Sequence, residues 1–214
     1  MKICAVSDIH GHFFDIPECD VFIIAGDINY GCHKKWFNGE FANWINNYSN
    51  NFDLALLVFG NHDDVIYMDK DIETLYHNFP TNFRILTNDG ISYKGVNFYG
   101  SPNVPYIPGF KNSMSEDVLR AIYSNIDNNT DILITHAPCF GIGDAVNQGR
   151  GFSLGSKSLL ERVKEVKPDV QFFGHIHTGR RYTRKFDIDF YNVSIVDESY
   201  EFVYPPTIID YHKR

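Results

Sequence analysis

The stretch Leu54-Ala55-Leu56-Leu57-Val58-Phe59-Gly60-Asn61-His62-Asp63 decides how this chain is read. Its first six residues are continuously apolar rather than alternating, the pattern of a strand covered on both faces. The run then passes directly into glycine, an amide, an imidazole and a carboxylate. A buried strand ending this way either caps a helix, through Asn61 or Asp63, or delivers ligand chemistry to a sheet edge.

Working outward, four more apolar runs end in the same kind of residue. Ile3–Ser7 precedes Asp8-Ile9-His10, and Val21–Ala25 precedes Gly26-Asp27. Asp131–Thr135 precedes His136, and Val170–Phe173 precedes Gly174-His175-Ile176-His177. Taken singly, each cluster has an ordinary explanation as a turn, a cap or a satisfied histidine. Five strand ends that all carry oxygen or imidazole donors are hard to reach by chance, and together they read as a centre for divalent metals. Asp8 and His10 share a face if the chain stays extended as far as Gly11. The carboxylate of Asp27 has two oxygens and can bridge two cations, with Gly26 allowing close backbone approach. Asn61 can offer an amide oxygen while His62 faces another way, and His175 and His177 can serve two adjacent ions.

Further strands are expected at Val96–Tyr99, Phe190–Ile195 and Glu201–Tyr204, and helices at Lys34–Tyr48, Asp69–Phe79, Ser115–Ile126 and Ser156–Val166. The first helix spaces Trp36, Phe37, Phe41, Trp44, Ile45 and Tyr48 along one face, a core stripe. The last starts near Gly155-Ser156, turns Leu159, Leu160 and Val163 inward and stops before Pro168. Pro102, Pro105, Pro108 and Gly109 punctuate one loop, and Gly141, Gly143, Gly149, Gly151 and Gly155 open another. Strand and helix alternate early and strands dominate late, which suggests layered α/β with two packed sheets, in one domain over residues 1–214.

The composition, 43% hydrophobic and 21% charged, is that of an ordinary soluble globular protein. A formal net charge of -8 argues against a duplex nucleic acid partner, which needs clustered Lys and Arg, but not against a small anion met by bound cations. Cys4, Cys19, Cys32 and Cys139 form no CxxC pair and fit buried thiols in a reducing compartment; Cys139 is close enough to His136 to be weighed as a site-lining residue. The opening strand leaves no room for a signal peptide, and no apolar run approaches the ~20 residues needed to span a bilayer. The expectation is a cytoplasmic protein with no membrane partner and an open oligomeric state.

The series DxH, GD, GNHD, H, GHxH, in this order at Asp8/His10, Asp27, Asn61-His62-Asp63, His136 and His175/His177, resembles the calcineurin-like metallophosphoesterase superfamily. Tyr99-Gly100-Ser101-Pro102, Thr135-His136-Ala137-Pro138, Phe173 to Gly179 and Pro205 to Asp210 are similar to its metallophosphoesterase-domain-containing subgroup, so the likeness covers nearly the whole chain. The resemblance implies a four-layer α/β/β/α sandwich with two mixed sheets flanked by helices. It implies one ion held by Asp8, His10, Asp27 and His177, and a second by Asp27, Asn61, His136 and His175. It makes His62 the catalytic acid, oriented by a carboxylate, Asp63 or Asp27. Some members of that subgroup lack one histidine of GHxH and are weak enzymes, whereas this chain keeps both.

Two cations roughly 3.5–4 Å apart can lower the pKa of a shared water and clamp phosphoryl oxygens, so that a metal-activated hydroxide attacks phosphorus. Manganese is the first choice, with Fe, Zn, Co or Ni also suited to the mixed donor set. Phe59 stands where the resembled phosphoprotein phosphatases carry an arginine that grips a dianion, which favours diesters. Cyclic nucleotides or other small phosphodiesters are therefore the expected substrates. His12 is either a phosphate contact or a solvent-facing side chain, and Arg150 either an anion contact or a surface arginine. A nuclease or phosphomonoesterase of the same fold is the nearest alternative. Arg180, Arg181, Arg184 and Lys185 would be a nuclease's basic groove or merely a solvated turn. A non-catalytic scaffold is the remaining alternative, and the complete set of donors speaks against it.

Overall fold

Buried side chains cover both faces of the central parallel strands in this computed structural model, which describes residues 1–31, 33–63, 76–146, 153–179 and 181–214. The chain begins with β1 (Lys2–Val6) and β2 (Cys19–Ala25), followed by helices α1 (Lys34–Trp36) and α2 (Ala42–Asn47). Next come β3 (Phe52–Val58), β4 (Phe83–Leu86), β5 (Asp89–Tyr93) and β6 (Val96–Ser101), then the short pair β7 (Val104–Pro105) and β8 (Ser113–Met114). Helix α3 (Glu116–Tyr123), β9 (Ile132–Thr135), α4 (Lys157–Val166) and β10 (Val170–Phe173) precede β11 (Tyr182–Lys185), β12 (Ile188–Asn192) and β13 (Thr207–Asp210).

One sheet has the order β13-β1-β2-β3-β4, its members parallel except β13. The other has the order β11-β12-β10-β9-β6-β5, with antiparallel strands only at its edges. Because successive strand residues face opposite ways, β1 to β3 send Ile3, Ala5, Ile23, Leu56 and Val58 against Phe98, Ile134 and Phe172 of the second sheet. Their other residues, among them Val6, Phe22, Ile24 and Leu57, meet Phe37, Phe41, Trp44 and Ile45 from the α1–α2 segment. On the far side, Leu133, Phe173 and Phe190 pack under Leu119 and Tyr123 of α3 and Leu159 and Val163 of α4. The layers are thus α/β/β/α, as expected.

Several expectations change in detail. The Lys34–Tyr48 helix is interrupted by a π turn over Phe37–Phe41, between α1 and α2, while its aromatic stripe stays in the core. Of the Asp69–Phe79 helix, residues 69–75 lie outside the described residues, and Tyr76–Asn78 forms a single 3₁₀ turn. Helix α4 starts at its Ser156 cap, whose Oγ accepts the Leu159 N–H at 3.1 Å. Glu201–Tyr204 is not a strand. Phe202 and Val203 are exposed, and only Phe202 bridges, to Val196. The strand is Thr207–Asp210, antiparallel to β1. Among the described residues no helix is long and apolar enough to cross a membrane.

What positions the site is the junction of the sheets. The Ser7 N–H donates to Val193 O at 2.9 Å and Ile195 N–H donates to Ser7 O at 3.0 Å, so the end of β1 is sewn to the segment after β12. The turns after β1, β2, β3, β9 and β10 therefore emerge at one common edge, at the carboxyl ends of parallel strands where α/β folds bind ligands.

Candidate metal centre

The turns that carry the donors are contorted rather than extended. Asp8, His10, Asp27 and His175 have φ of 53°, 42°, 54° and 69°, the left-handed region that side chains with a Cβ seldom adopt. The expected extended path from Asp8 to Gly11 is thus corrected. Asp8 and His10 reach the same side because the backbone coils between them around buried Ile9. Such conformations persist where surrounding structure over-determines them, and they cluster at functional sites. Here the restraint is visible: both Asp8 oxygens accept the His175 N–H, at 3.1 and 3.0 Å, and Asp8 N–H donates to Gly26 O at 2.9 Å. Gly60 and Gly174 allow the closest approaches. A Cβ on Gly60 would strike the Asp27 carboxylate, and one on Gly174 would strike Ser7 and the Asp8 carboxylate.

Two donor groups result. Asp8, His10 and His177 each bring a ligand atom within 4.8 Å of the others, and so do Asp27, His136 and His175. Asp27 Oδ2 lies 3.2 Å from His136 Nε2 and 4.0 Å from His10 Nε2, so one carboxylate faces both groups. Asn61 joins the second group, its Oδ1 standing 3.1 Å from His136 Nε2.

These donors fit divalent cations on the structure's own terms. His10 is buried, and neither of its ring nitrogens has a hydrogen-bond partner among the described residues. Burial, opposed by Asp27 and Asp8, pushes its pKa down to about 4, and burial with the charge of His136 does the same for His175, so both present neutral imidazoles. Nδ1–H of His136 donates to Ala25 O at 2.8 Å and Nδ1–H of His177 to Asp197 O at 3.0 Å, leaving each Nε2 to face the site. Burial alone would lower the pKa of His136, but the Asp27 carboxylate outweighs it and raises the value to about 9. His136 Nε2 thus stands beside both the Asp27 and the Asn61 oxygens, a set of donors that a cation can share. Burial likewise opposes ionisation of Asp27, yet the surrounding histidines hold it below the ordinary carboxylate range.

The remaining expected site residues fall differently. His62 is half-buried at the mouth of the centre, its ring edge-on to His10 at 5.2 Å and to Phe110 at 5.1 Å. Its main-chain N–H donates to Asp27 Oδ1 at 2.8 Å. Buried Asp63 directs its carboxylate to the backbone, accepting Gly60 N–H at 2.8 Å and Ile28 N–H at 3.0 Å, and so holds the turns after β2 and β3 together. His12 is half-buried, and its Nε2–H donates to Tyr200 O at 2.8 Å. Arg150 and Arg180 lie outside the described residues. Arg184 and Lys185 sit on edge strand β11 rather than in a turn, and Arg184 pairs with Asp189 at 3.1 Å. Cys139 is buried beneath α3 and α4, its Sγ donating to Gln171 Oε1 at 3.2 Å, away from the donors. Phe59 packs in the core against Phe37.

A cleft of about 560 Å³ opens over Asp27, Asn61, His62, His175 and His177. Its walls, Tyr106, Ile107, Pro108, Phe110, Leu154 and Tyr200, were not expected from sequence to line the site. The proline-punctuated loop supplies four of them, and its anchor is buried Asn112, whose Nδ2 donates to Gly60 O at 2.8 Å. Tyr200, also at positive φ, sets its ring 4.8 Å from His10 and 5.0 Å from His177. A cluster of prolines and aromatics between strands was the available signal for the loop; nothing local marked Tyr200.

Two stacked mixed sheets thus carry paired donor groups at their shared edge. The family model of the calcineurin-like phosphoesterases matches residues 1–179, and the chain belongs to that family. It is similar to UPF0046 protein K07C11.7 of Caenorhabditis elegans, 30% identical over 195 residues, a match that spans 83% of this chain but only 63% of that relative. It is 28% identical over 236 residues to the human metallophosphoesterase domain-containing protein 1, covering 98% of this chain and 70% of the relative. The crystal structure of TT1561 of Thermus thermophilus superposes with a TM-score of 0.58 at 13% identity, over 89% of this chain and 88% of that one, a likeness of fold.

Proposed function

We propose that this chain is a phosphodiesterase working with two divalent cations, manganese first among them, on cyclic nucleotides or other small phosphodiesters. The observation that carries the reading is Asp27 Oδ2, set between His136 Nε2 at 3.2 Å and His10 Nε2 at 4.0 Å. Asp8, His10, Asp27 and His177 would hold one cation, and Asp27, Asn61, His136 and His175 the other. Bound there, the cations supply Lewis acidity toward a shared water and toward the phosphoryl oxygens.

The chain's own residues do the rest. His62 lines the cleft beside both groups and protonates the leaving oxygen, a contribution typically worth about 10²–10⁴-fold. Asp27 holds the backbone of His62, and Asp63 holds the turn on which both Asn61 and His62 stand. The diester preference is supported by the cleft walls. They are largely apolar, and none of the described lining residues is Lys or Arg, so they suit an organic ester group better than a second phosphate charge.

The test is to load the metal-stripped protein with manganese and compare bis-p-nitrophenyl phosphate with p-nitrophenyl phosphate, then a panel of cyclic nucleotides. Two ions per chain and faster diester turnover are expected. A single ion, or a monoester preference, refutes the reading.

A further inference from the structure

A second cavity, of about 330 Å³, adjoins the cleft and shares Tyr106, Ile107, Leu154 and His175 with it. The two are lobes of one groove that passes over His175. At its far end are the Phe140 ring and Lys157, whose ammonium lies 5.1 Å from the ring centroid. The lobe is framed by backbone rather than by loose side chains. Phe140 N–H donates to Ser156 O at 3.0 Å, and buried Asp144 accepts Gly141 N–H at 2.9 Å and Gly155 N–H at 3.2 Å. Glu116 also lines it, but its carboxylate is occupied by Ser156 Oγ, Lys157 N–H and the N–H and Oγ–H of Ser158. What the lobe offers a ligand is therefore an apolar wall, the aromatic rings of Phe140 and Tyr106, and the Lys157 ammonium.

We propose that this second lobe binds the second organic substituent of a linear phosphodiester, an aromatic group bearing hydrogen-bond acceptors, of the nucleobase class. The proposal rests on the phosphodiesterase reading above and narrows its substrate. A cyclic nucleotide attaches both ester oxygens to one nucleoside and needs one lobe only. A linear diester carries two separate groups on phosphorus, and a groove with a lobe on each side of His175 matches that shape. The lobes also differ chemically: His62 lines the first and not the second. The departing group therefore lies in the first. A water oxygen bonds to phosphorus and sheds a proton, the ester bond toward that group breaks, and the leaving oxygen takes a proton from His62, which the proton shed by the water replaces. The other substituent stays on phosphorus in the second lobe, and a monoester is released.

The experiment compares a dinucleoside monophosphate with a 3′,5′-cyclic nucleotide in the manganese-loaded full chain and in Phe140→Ala and Phe140→Leu. Phe140 is 36% exposed, so both variants should fold. The expected result is a fall in the linear-to-cyclic ratio of kcat/KM on the order of tenfold in Phe140→Ala, the size of one lost aromatic stacking contact. A similar loss is expected in Phe140→Leu, which keeps apolar volume but not the ring. Equilibrium binding of a non-hydrolysable dinucleoside phosphorothioate should weaken by the same factor. An unchanged ratio in an active enzyme overturns the lobe assignment alone. Absence of all diester turnover overturns the phosphodiesterase reading, and this proposal with it.

Discussion

Asp27 holds His62 by its main chain: Oδ1 accepts the His62 N–H at 2.8 Å while Oδ2 faces His136 Nε2 at 3.2 Å. One buried carboxylate thus ties the proposed proton donor to the proposed metal centre, and the two should respond together when it is changed.

Asp27→Asn keeps an acceptor for the His62 N–H but removes the negative charge between the donor groups. Manganese content should fall from two ions to one or fewer. Diester turnover should drop by at least about 100-fold, since even outer partners of metal ligands cost 10–100-fold. Elemental analysis of the dialysed variant checks this, and full metal occupancy would refute the bridging role.

His62→Ala removes the proton donor while leaving the donor groups in place. Metal content should stay unchanged. Turnover of an alkyl diester should fall by about 10²–10⁴-fold, while a p-nitrophenyl leaving group, which needs no proton, should be far less affected. Equal losses on both leaving groups would count against His62 as the acid.

Gly60→Ala puts a Cβ against the Asp27 carboxylate and main chain, where neither can retreat without disturbing the turn. Overpacking of this kind costs about 1–3 kcal/mol. A lower thermal midpoint with weaker manganese binding is expected. A variant as stable and as metal-tight as the parent would show that the turns are looser than their contacts imply.

The hairpin of β11 and β12 bears on acid stability. Burial tends to raise the pKa of Asp189, but Tyr182 Oη–H, donating at 2.7 Å, together with Arg214 and Arg184, holds it below the ordinary carboxylate value of 3.8. A group depressed on folding stabilises above its unfolded pKa and loses that contribution as pH falls through the folded one. Asp189→Asn should therefore be less stable than the parent at neutral pH, by at most about 1 kcal/mol because the arginines are largely exposed. The two stability curves should converge at pH values below the ordinary carboxylate range. Urea unfolding at several pH values measures it, and a gap that persists in acid would sink the assignment.

Much of the architecture was legible before the fold was known. Continuous apolar runs such as Val21–Ala25 and Leu54–Phe59 announced strands covered on both sides, because burial on two faces removes the polar alternate positions. The Ser156 cap and Pro168 bracketed α4 by local hydrogen bonding and sterics. Glu201–Tyr204 misled because Phe202 and Val203 are apolar yet exposed, while Asp197 Oδ1 accepts the N–H groups of Ser199 and Glu201 and turns the chain there. The left-handed backbone at Asp8, His10, Asp27 and His175 had no local signal either, since these residue types do not demand it.

The sequence by itself determined which residues carry donor atoms and that each follows a buried strand, because residue chemistry and apolar runs are local properties. Only the tertiary structure decided that Asp27 faces His10 on one side and His136 on the other, that Asp63 turns to the backbone, and that Tyr200 and Phe110 wall the cleft. Those relations arise where the two stacked sheets are joined at Ser7, and contacts across that junction, not the preference of any segment, select the strained turns that bring the atoms together.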